Sequence, residues 1–142
     1  SEILAAVNIR MLTRSHGGFT TCLVLRADAD GTLTVANAGH IAPYVSGKEL
    51  PLENGLPLGL SAETIYVEST FQLDPSQQLI LLTDGVVEAR DKAGALFGFE
   101  RTAALSTQSA EAIALAAQTF GQDDDITVLT VTRTAVQEPA LA

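Results

Sequence analysis

The run Gln78-Leu-Ile-Leu-Leu-Thr83 constrains this chain more than any other feature. Four consecutive aliphatic side chains, Leu79 to Leu82, point alternately to the two faces of a strand, so both faces need cover. A strand with one wet face cannot supply that cover, whereas a central strand in a layered fold can. The run ends at Asp84-Gly85, which delivers a carboxylate to the end of the most embedded strand in the chain. Burial of a lone charge there would be costly, so Asp84 is expected to find donors, titrate with a raised pKa or bind a cation. The alternative is that Asp84-Gly85 starts a turn or caps a following helical turn.

Around this strand the pattern predicts an ordered set of elements. Ile3, Leu4, Val7 and Met11 form one stripe at helical period over residues 1–14, and Gly17-Gly18 stops the helix. Phe19 to Arg26 is apolar on both faces and reads as a buried strand, joined through Asp28-Ala-Asp-Gly31 to an antiparallel partner over Thr32 to Ala36. Pro43 to Ser46 and Glu49 to Leu52 read as a weaker hairpin across Gly47-Lys48, with Pro51 marking an exposed edge. Asn54 to Leu60 is too broken for a regular element and too apolar for a solvated loop, so it is expected to pack inward. Thr64 to Phe71 alternates as a strand, and Asp74-Pro75 turns the chain toward Gln78. Ser109 to Phe120 predicts a helix with Ala110, Ile113, Ala114, Ala117 and Phe120 on one face and Gly121 as its C-terminal cap. Ile126 to Arg133 is the last strand, and 135–142 reads as a flexible tail. One helix, about five strands, two helices and a returning strand make an α+β fold, layered, in one domain over 1–134; 142 residues suit one domain and not two.

Charge narrows the function. Seventeen Asp and Glu against eight Lys and Arg leave a net charge of −9, the wrong sign for gathering nucleic acid phosphates. An acidic chain acting on an anionic substrate must place cations at its site, which raises the question of bound metal. The single cysteine, Cys22, excludes an intrachain disulfide, fits a reducing compartment and reads as a small core residue. No apolar stretch approaches the roughly 20 residues of a membrane span, and no basic start marks a signal peptide, so the expectation is a soluble, cytoplasmic protein. Ser1 opens the chain and the one methionine, Met11, lies inside the helical pattern, which suggests a piece of a longer protein.

A second carboxylate cluster, Asp123-Asp124-Asp125, directly precedes the last strand. If the chain is already extended there, Asp124 faces away from Asp123 and Asp125 and meets a different environment; otherwise the triplet is a solvated acidic loop. Mg²⁺ and Mn²⁺ take carboxylate oxygens from separate strand ends, so Asp84 and Asp124 could serve one ion site despite their distance in sequence. His16 and His40 show no zinc-type spacing. His40 closes Asn37-Ala-Gly-His40 at a strand end, where it is either a proton donor or substrate contact, or a loop histidine bonded to its neighbours. No nucleophile elbow, P-loop or dinucleotide fingerprint occurs.

Phe19-Thr-Thr, Asn37-Ala-Gly-His40, Gly55-Leu-Pro-Leu-Gly-Leu60, Thr83-Asp-Gly-Val-Val-Glu-Ala89, Leu96-Phe-Gly98 with Arg101, and Asp124-Asp-Ile-Thr127 occur in one order along the chain. In that order they resemble the bacterial branch of the metal-dependent type 2C (PPM-type) serine/threonine phosphatases, the SpoIIE or RsbU type, from residue 1 to about Arg133. The resemblance implies a sandwich of two antiparallel sheets flanked by helices, with a two-metal Mn²⁺ or Mg²⁺ centre at one end. It implies Asp84 and Asp124 as metal ligands and catalytic residues, with Asn37, His40, Gly85 and Asp125 beside the site.

The implied reaction is hydrolysis of phosphoserine or phosphothreonine on a regulatory phosphoprotein, by family analogy an anti-anti-sigma factor, through a metal-activated water. Upstream sensory or receiver domains are common in such proteins. The Gly-Asp and Asp-x-x-Gly-His motifs that the resemblance places upstream of the first helix do not occur in this chain. It therefore reads as the C-terminal portion of a catalytic domain, lacking its first strands and with little activity alone. The eukaryotic relatives carry an aspartate where this chain has His40, so a third metal is not expected there. The competing reading is a catalytically dead phosphatase-like module that regulates or binds a partner.

Overall fold

A computed structural model describes residues 1–13 and 18–134. Over these the chain runs α1 (Glu2–Thr13), β1 (Cys22–Ala27), β2 (Thr32–Ala38), β3 (Tyr44–Val45), β4 (Lys48–Glu49), β5 (Asn54–Gly55), β6 (Glu68–Gln72), β7 (Gln78–Leu82), α2 (Asp84–Val87), α3 (Gly98–Leu105), α4 (Ala110–Gly121) and β8 (Val128–Thr132). His16, Gly17 and the expected tail at 135–142 lie outside the described residues.

Side-chain alternation builds four layers. β7 sits between β3 and β8 in a sheet of order β4-β3-β7-β8. Its Leu79 and Leu81 face a cluster shared with Leu33 of β2 and Leu73, while Ile80 and Leu82 face a second cluster with Val86, Val87, Ile113 and Ala117 of the helices. In the other sheet Leu33 joins the inter-sheet cluster, and Ala36 and Ala38 turn the opposite way to pack with Leu4 of α1, Leu58 and Tyr66. The order is therefore α1, first sheet, second sheet, then α2 to α4, with a separate apolar core between each adjacent pair. This is the layered α+β sandwich expected from the sequence, and β7 has both faces covered as its composition requires.

Pairing is antiparallel throughout except for β5, which runs parallel to β2 through Asn37 opposite Asn54 and Ala38 opposite Gly55. α4 forms where it is expected, but Gly121 is its last residue and Gln122 its C-cap: the Ser109 side chain caps the start by accepting from the Ala112 amide at 3.2 Å, Ile113 and Ala117 are buried, and Phe120 stacks edge-on against Phe97.

Several expectations are corrected, each for a physical reason. The strand expected from Phe19 to Arg26 starts at Cys22, and it is half-buried or exposed rather than buried because it forms the edge of its sheet. In the α1 stripe Leu4 is buried, but Ile3 and Val7 are exposed and Asn8 takes their place inside. Asn8 can be buried because both ends of its amide are bonded: Nδ2 donates to the Ser61 carbonyl at 2.8 Å and Oδ1 accepts from the Gly59 amide at 2.7 Å. That bond pair anchors the 54–60 segment, of which Leu58 packs inward while Leu56 and Leu60 remain exposed.

The second hairpin turns at Ser46-Gly47, one residue earlier than expected, because both residues take positive φ (51° and 81°) as a tight two-residue turn demands. The strand expected over Thr64 to Phe71 begins only at Glu68. The edge of β2 that β6 follows up to Ala36 is taken over by β5 at Asn37, leaving Ile65 without a partner strand and 81% exposed. The last strand is shorter at both ends than Ile126 to Arg133.

Candidate metal centre

Asp84 stands where β7 gives way to α2. Thr83 is extended (φ −87°, ψ 162°) and its carbonyl accepts the first helical bond from the Val86 amide at 3.1 Å. The helix is one turn long and its Gly85, Val86 and Val87 are buried, so the side of the turn away from Asp84 is fastened to the core. Asp84 itself is exposed, contrary to the concern that its charge would be buried. Of the two readings of the dipeptide the structure shows the helical turn, which Asp84 opens with its carboxylate in solvent.

The acidic triplet comes to the same place from the other sequence end. β7 and β8 pair from Gln78 opposite Thr132 to Leu82 opposite Val128, and the ladder continues one step as the Thr83 amide donates to the Thr127 carbonyl at 3.0 Å. Beyond Thr127 the chain bends at Asp124 instead of staying extended, so the expected alternation of Asp123, Asp124 and Asp125 does not operate. The bend presses the backbone of Asp124 and Asp125 onto α2 at Gly85: a Cβ there would lie 2.9 Å from the Asp125 carbonyl carbon and closer still to its oxygen. Positions 84 and 124, 40 apart in sequence, therefore meet through Gly85.

The two carboxylates are held alike. Asp84 Oδ1 accepts from the Gly85 amide at 3.1 Å, and Asp124 Oδ1 accepts from the Asp125 amide at 2.7 Å. Each is fixed by the amide that follows it, and all of Asp84, Asp123, Asp124 and Asp125 are solvent-exposed. Among the described residues no three His, Cys, Asp or Glu side chains gather closely enough to hold an ion. A Mg²⁺ or Mn²⁺ ion, however, keeps several waters and needs only one or two carboxylates. Asp84 and Asp124 supply hard oxygen donors of the type such an ion takes, on adjoining turns, and they do not make a closed cage.

Asn37 and His40 belong to a different local structure. Asn37 is buried, its Oδ1 accepting from the His40 amide at 2.9 Å and its Nδ2 donating to the His40 carbonyl at 2.7 Å and to Asn54 Oδ1 at 2.6 Å. The His40 ring pairs through Nδ1 with the Thr21 hydroxyl at 3.1 Å. Among the described residues no hydrogen bond joins this turn to the aspartates. Its link to them is apolar: Ile41 packs on the cluster that carries Val86, Val87 and Ile126.

Two residues at the site were not singled out by sequence. The Thr83 hydroxyl accepts from the Thr127 amide at 2.9 Å and donates to the Asp125 carbonyl at 3.1 Å. Arg90, at the far side of α2, donates its amide to the Gly121 carbonyl at 2.7 Å and pairs with Asp123 at 3.7 Å, an exposed ion pair of small energetic weight. The Thr83 contacts could have been suspected only once the β7–β8 register was known.

Comparison with known proteins supplies a family. The profile described as stage II sporulation protein E (SpoIIE) matches residues 1–134. No curated protein matches the chain in sequence. Among solved structures, the RsbU and RsbW domains of Rv1364c from Mycobacterium tuberculosis superpose with a TM-score of 0.70 at 21% identity, over 96% of this chain and 42% of that one. The phosphatase domain of the cell fate determinant SpoIIE from Bacillus subtilis, presoaked with Mn, gives a TM-score of 0.64 at 18% identity, over 95% of this chain and 66% of that one. PppA, described as a key regulatory component of T6SS in Pseudomonas aeruginosa, gives 0.68 at 18% identity, over 91% and 66%. At these identities the likeness establishes the shared fold, and the chain spans less than two thirds of each relative's length.

Proposed function

The chain belongs to the SpoIIE family, and from that premise we propose that it forms part of a metal-dependent protein serine/threonine phosphatase acting on a phosphorylated regulatory protein, by family analogy an anti-anti-sigma factor. The observation that carries this reading is the contact of Gly85 with the Asp124–Asp125 backbone, which makes neighbours of two carboxylate-bearing turns from strand ends far apart in sequence. Asp84 and Asp124 would hold Mn²⁺ or Mg²⁺, within a two-metal centre in the complete domain. When bound, the metal lowers the pKa of a water and neutralises phosphoryl oxygens, so that an acidic chain can act on an anionic ester without a covalent phosphoenzyme.

The chain's own part is to present and orient oxygen ligands. The Gly85 and Asp125 amides each fix one carboxylate oxygen, which limits how that carboxylate can turn. β7 and β8, locked in register, set the two ligand-bearing turns on one end of the sandwich. The expected domain, 1–134, sits in this proposal as the C-terminal portion of the catalytic unit.

The test is Mn²⁺-dependent hydrolysis of a phosphoserine peptide by the full-length protein that carries these residues. Asp84→Asn and Asp124→Asn should each lower turnover by about 100-fold or more while leaving the metal-free melting temperature unchanged, since both side chains are exposed. Turnover retained in both variants would remove the proposal. The 142-residue chain alone should show little hydrolysis, and strong Mn²⁺-dependent activity from it would overturn that expectation.

One observation favours a second reading, a phosphatase-like module without catalysis: among the described residues no three ligating side chains converge. Titration of the full-length protein with Mn²⁺ separates the two, because a metal site raises the melting temperature with the logarithm of ion concentration above its Kd and a module without the site does not.

A further inference from the structure

Thr83 occupies the N-cap of α2, a position where threonine ordinarily turns its hydroxyl back onto the helix's own amides. Here it makes no such bond. The reason lies in what its carbonyl is doing. In the antiparallel ladder the Thr127 amide should donate to the Thr83 carbonyl, the partner of the bond from the Thr83 amide to the Thr127 carbonyl at 3.0 Å. That carbonyl has been drawn away to accept from Val86 at 3.1 Å and begin α2. The hydroxyl takes its place, accepting from the Thr127 amide at 2.9 Å, and donates a hydrogen bond to the Asp125 carbonyl at 3.1 Å.

One side chain thus satisfies the amide that the helix start would have orphaned and ties the acidic bend to the end of β7. Its neighbour on one side is Asp84, and its acceptor is the carbonyl of Asp125, the residue after Asp124. We propose that Thr83 is a positioning residue, its hydroxyl being the clamp that sets the separation of Asp84 and Asp124 and through it the affinity of the site for a divalent ion. This rests on the reading of Asp84 and Asp124 as ion ligands.

The experiment uses the full-length protein with Thr83→Val, which keeps the shape and removes the hydroxyl, Thr83→Ser, which keeps the hydroxyl, and Thr83→Ala as a second deletion should the valine variant fail to fold. Two quantities are read: amide hydrogen exchange at Thr127 without metal, and Mn²⁺ affinity from the electron paramagnetic resonance of free ion. Removal of the hydroxyl should speed Thr127 exchange and weaken Mn²⁺ binding about 10–100-fold, the usual effect of losing a residue that orients a metal ligand. Serine should restore both.

Unchanged exchange in the deletion variants would show that no clamp exists. Faster exchange with wild-type Mn²⁺ affinity would show a clamp that does not serve the site, and a serine variant as weak as valine would show that the methyl group matters instead; each overturns the proposal. A wild-type protein that binds no Mn²⁺ would refute the ligand reading itself, an outcome distinct from a wild-type site that the Thr83 variants leave untouched.

Discussion

Gly85→Ala tests whether the candidate site is built by close backbone approach. Gly85 lies in the helical turn α2 without a left-handed φ, so alanine suits its conformation, and intrinsic helix propensity would favour the change by about 1 kcal/mol. The space is what forbids it. A Cβ would stand 2.9 Å from the Asp125 carbonyl carbon, where contacting carbons prefer about 3.5–4.0 Å. The obstacle is backbone and cannot rotate aside, so either α2 or the acidic bend must move by more than about 0.6 Å, and overpacking of this kind costs about 1–3 kcal/mol.

Because the obstacle is backbone, the cost is taken at the upper part of that range and outweighs the propensity gain, leaving a net loss of up to about 2 kcal/mol and a melting temperature lower by up to about 8 °C in a domain this size. Because the displacement separates Asp84 from Asp124, the ion affinity should fall as well. Thermal denaturation with and without Mn²⁺ reads both. A variant at least as stable as the parent, with the same metal-linked rise, would refute the claim that this contact sets the site.

Two further outcomes concern buried polar groups. Asn8→Ala leaves the Gly59 amide and the Ser61 carbonyl without their partner and should cost about 2–3 kcal/mol in denaturant unfolding, against near neutrality for a solvent-facing position. Tyr44 is buried and its hydroxyl has no hydrogen-bond partner among the described residues, so Tyr44→Phe should be neutral or stabilising by up to about 1 kcal/mol. Burial, with a smaller push from the Glu49 charge, raises the Tyr44 phenol above its ordinary 10.0. Above that pH the unfolded chain sheds this proton while the folded one keeps it, so stability falls as pH rises. Tyr44→Phe should flatten that alkaline loss, and a variant with the parent's profile between pH 9 and 11 (about the range that brackets a phenol) would refute the assignment.

What could be read from the sequence was what local chemistry determines. The four aliphatics of β7 admit only a strand covered on both sides, and Ser109 with Gly121 bracket a stripe whose Ile113 and Ala117 are indeed buried. Asp84 and the triplet at 123–125 stood out because each places charge at the end of an apolar strand, and the fold brings them together. What stayed hidden depends on partners far along the chain. Nothing near Asn8 says that its amide will hold Gly59, 51 residues away, so the periodicity of α1 points to Ile3 and Val7 beside Leu4 and Met11 and passes over Asn8. The Thr83 hydroxyl reaches Thr127 across 44 residues, and its task exists only because the backbone carbonyl beside it has gone elsewhere. The early stop of β6 is likewise a competition, lost to β5, that neither segment's composition reveals.

That competition gives β2 a forked neighbour: one side of it is lined first by Glu68–Gln72 and then by Asn54–Gly55. The polypeptide between the two prongs must leave the sheet and return, and Asn8, Leu58 and Tyr66 moor it at both shoulders while Ala62 and Glu63 face water at its crest. A crest moored at both shoulders in this way is the part of the segment where a change of length disturbs the two prongs least.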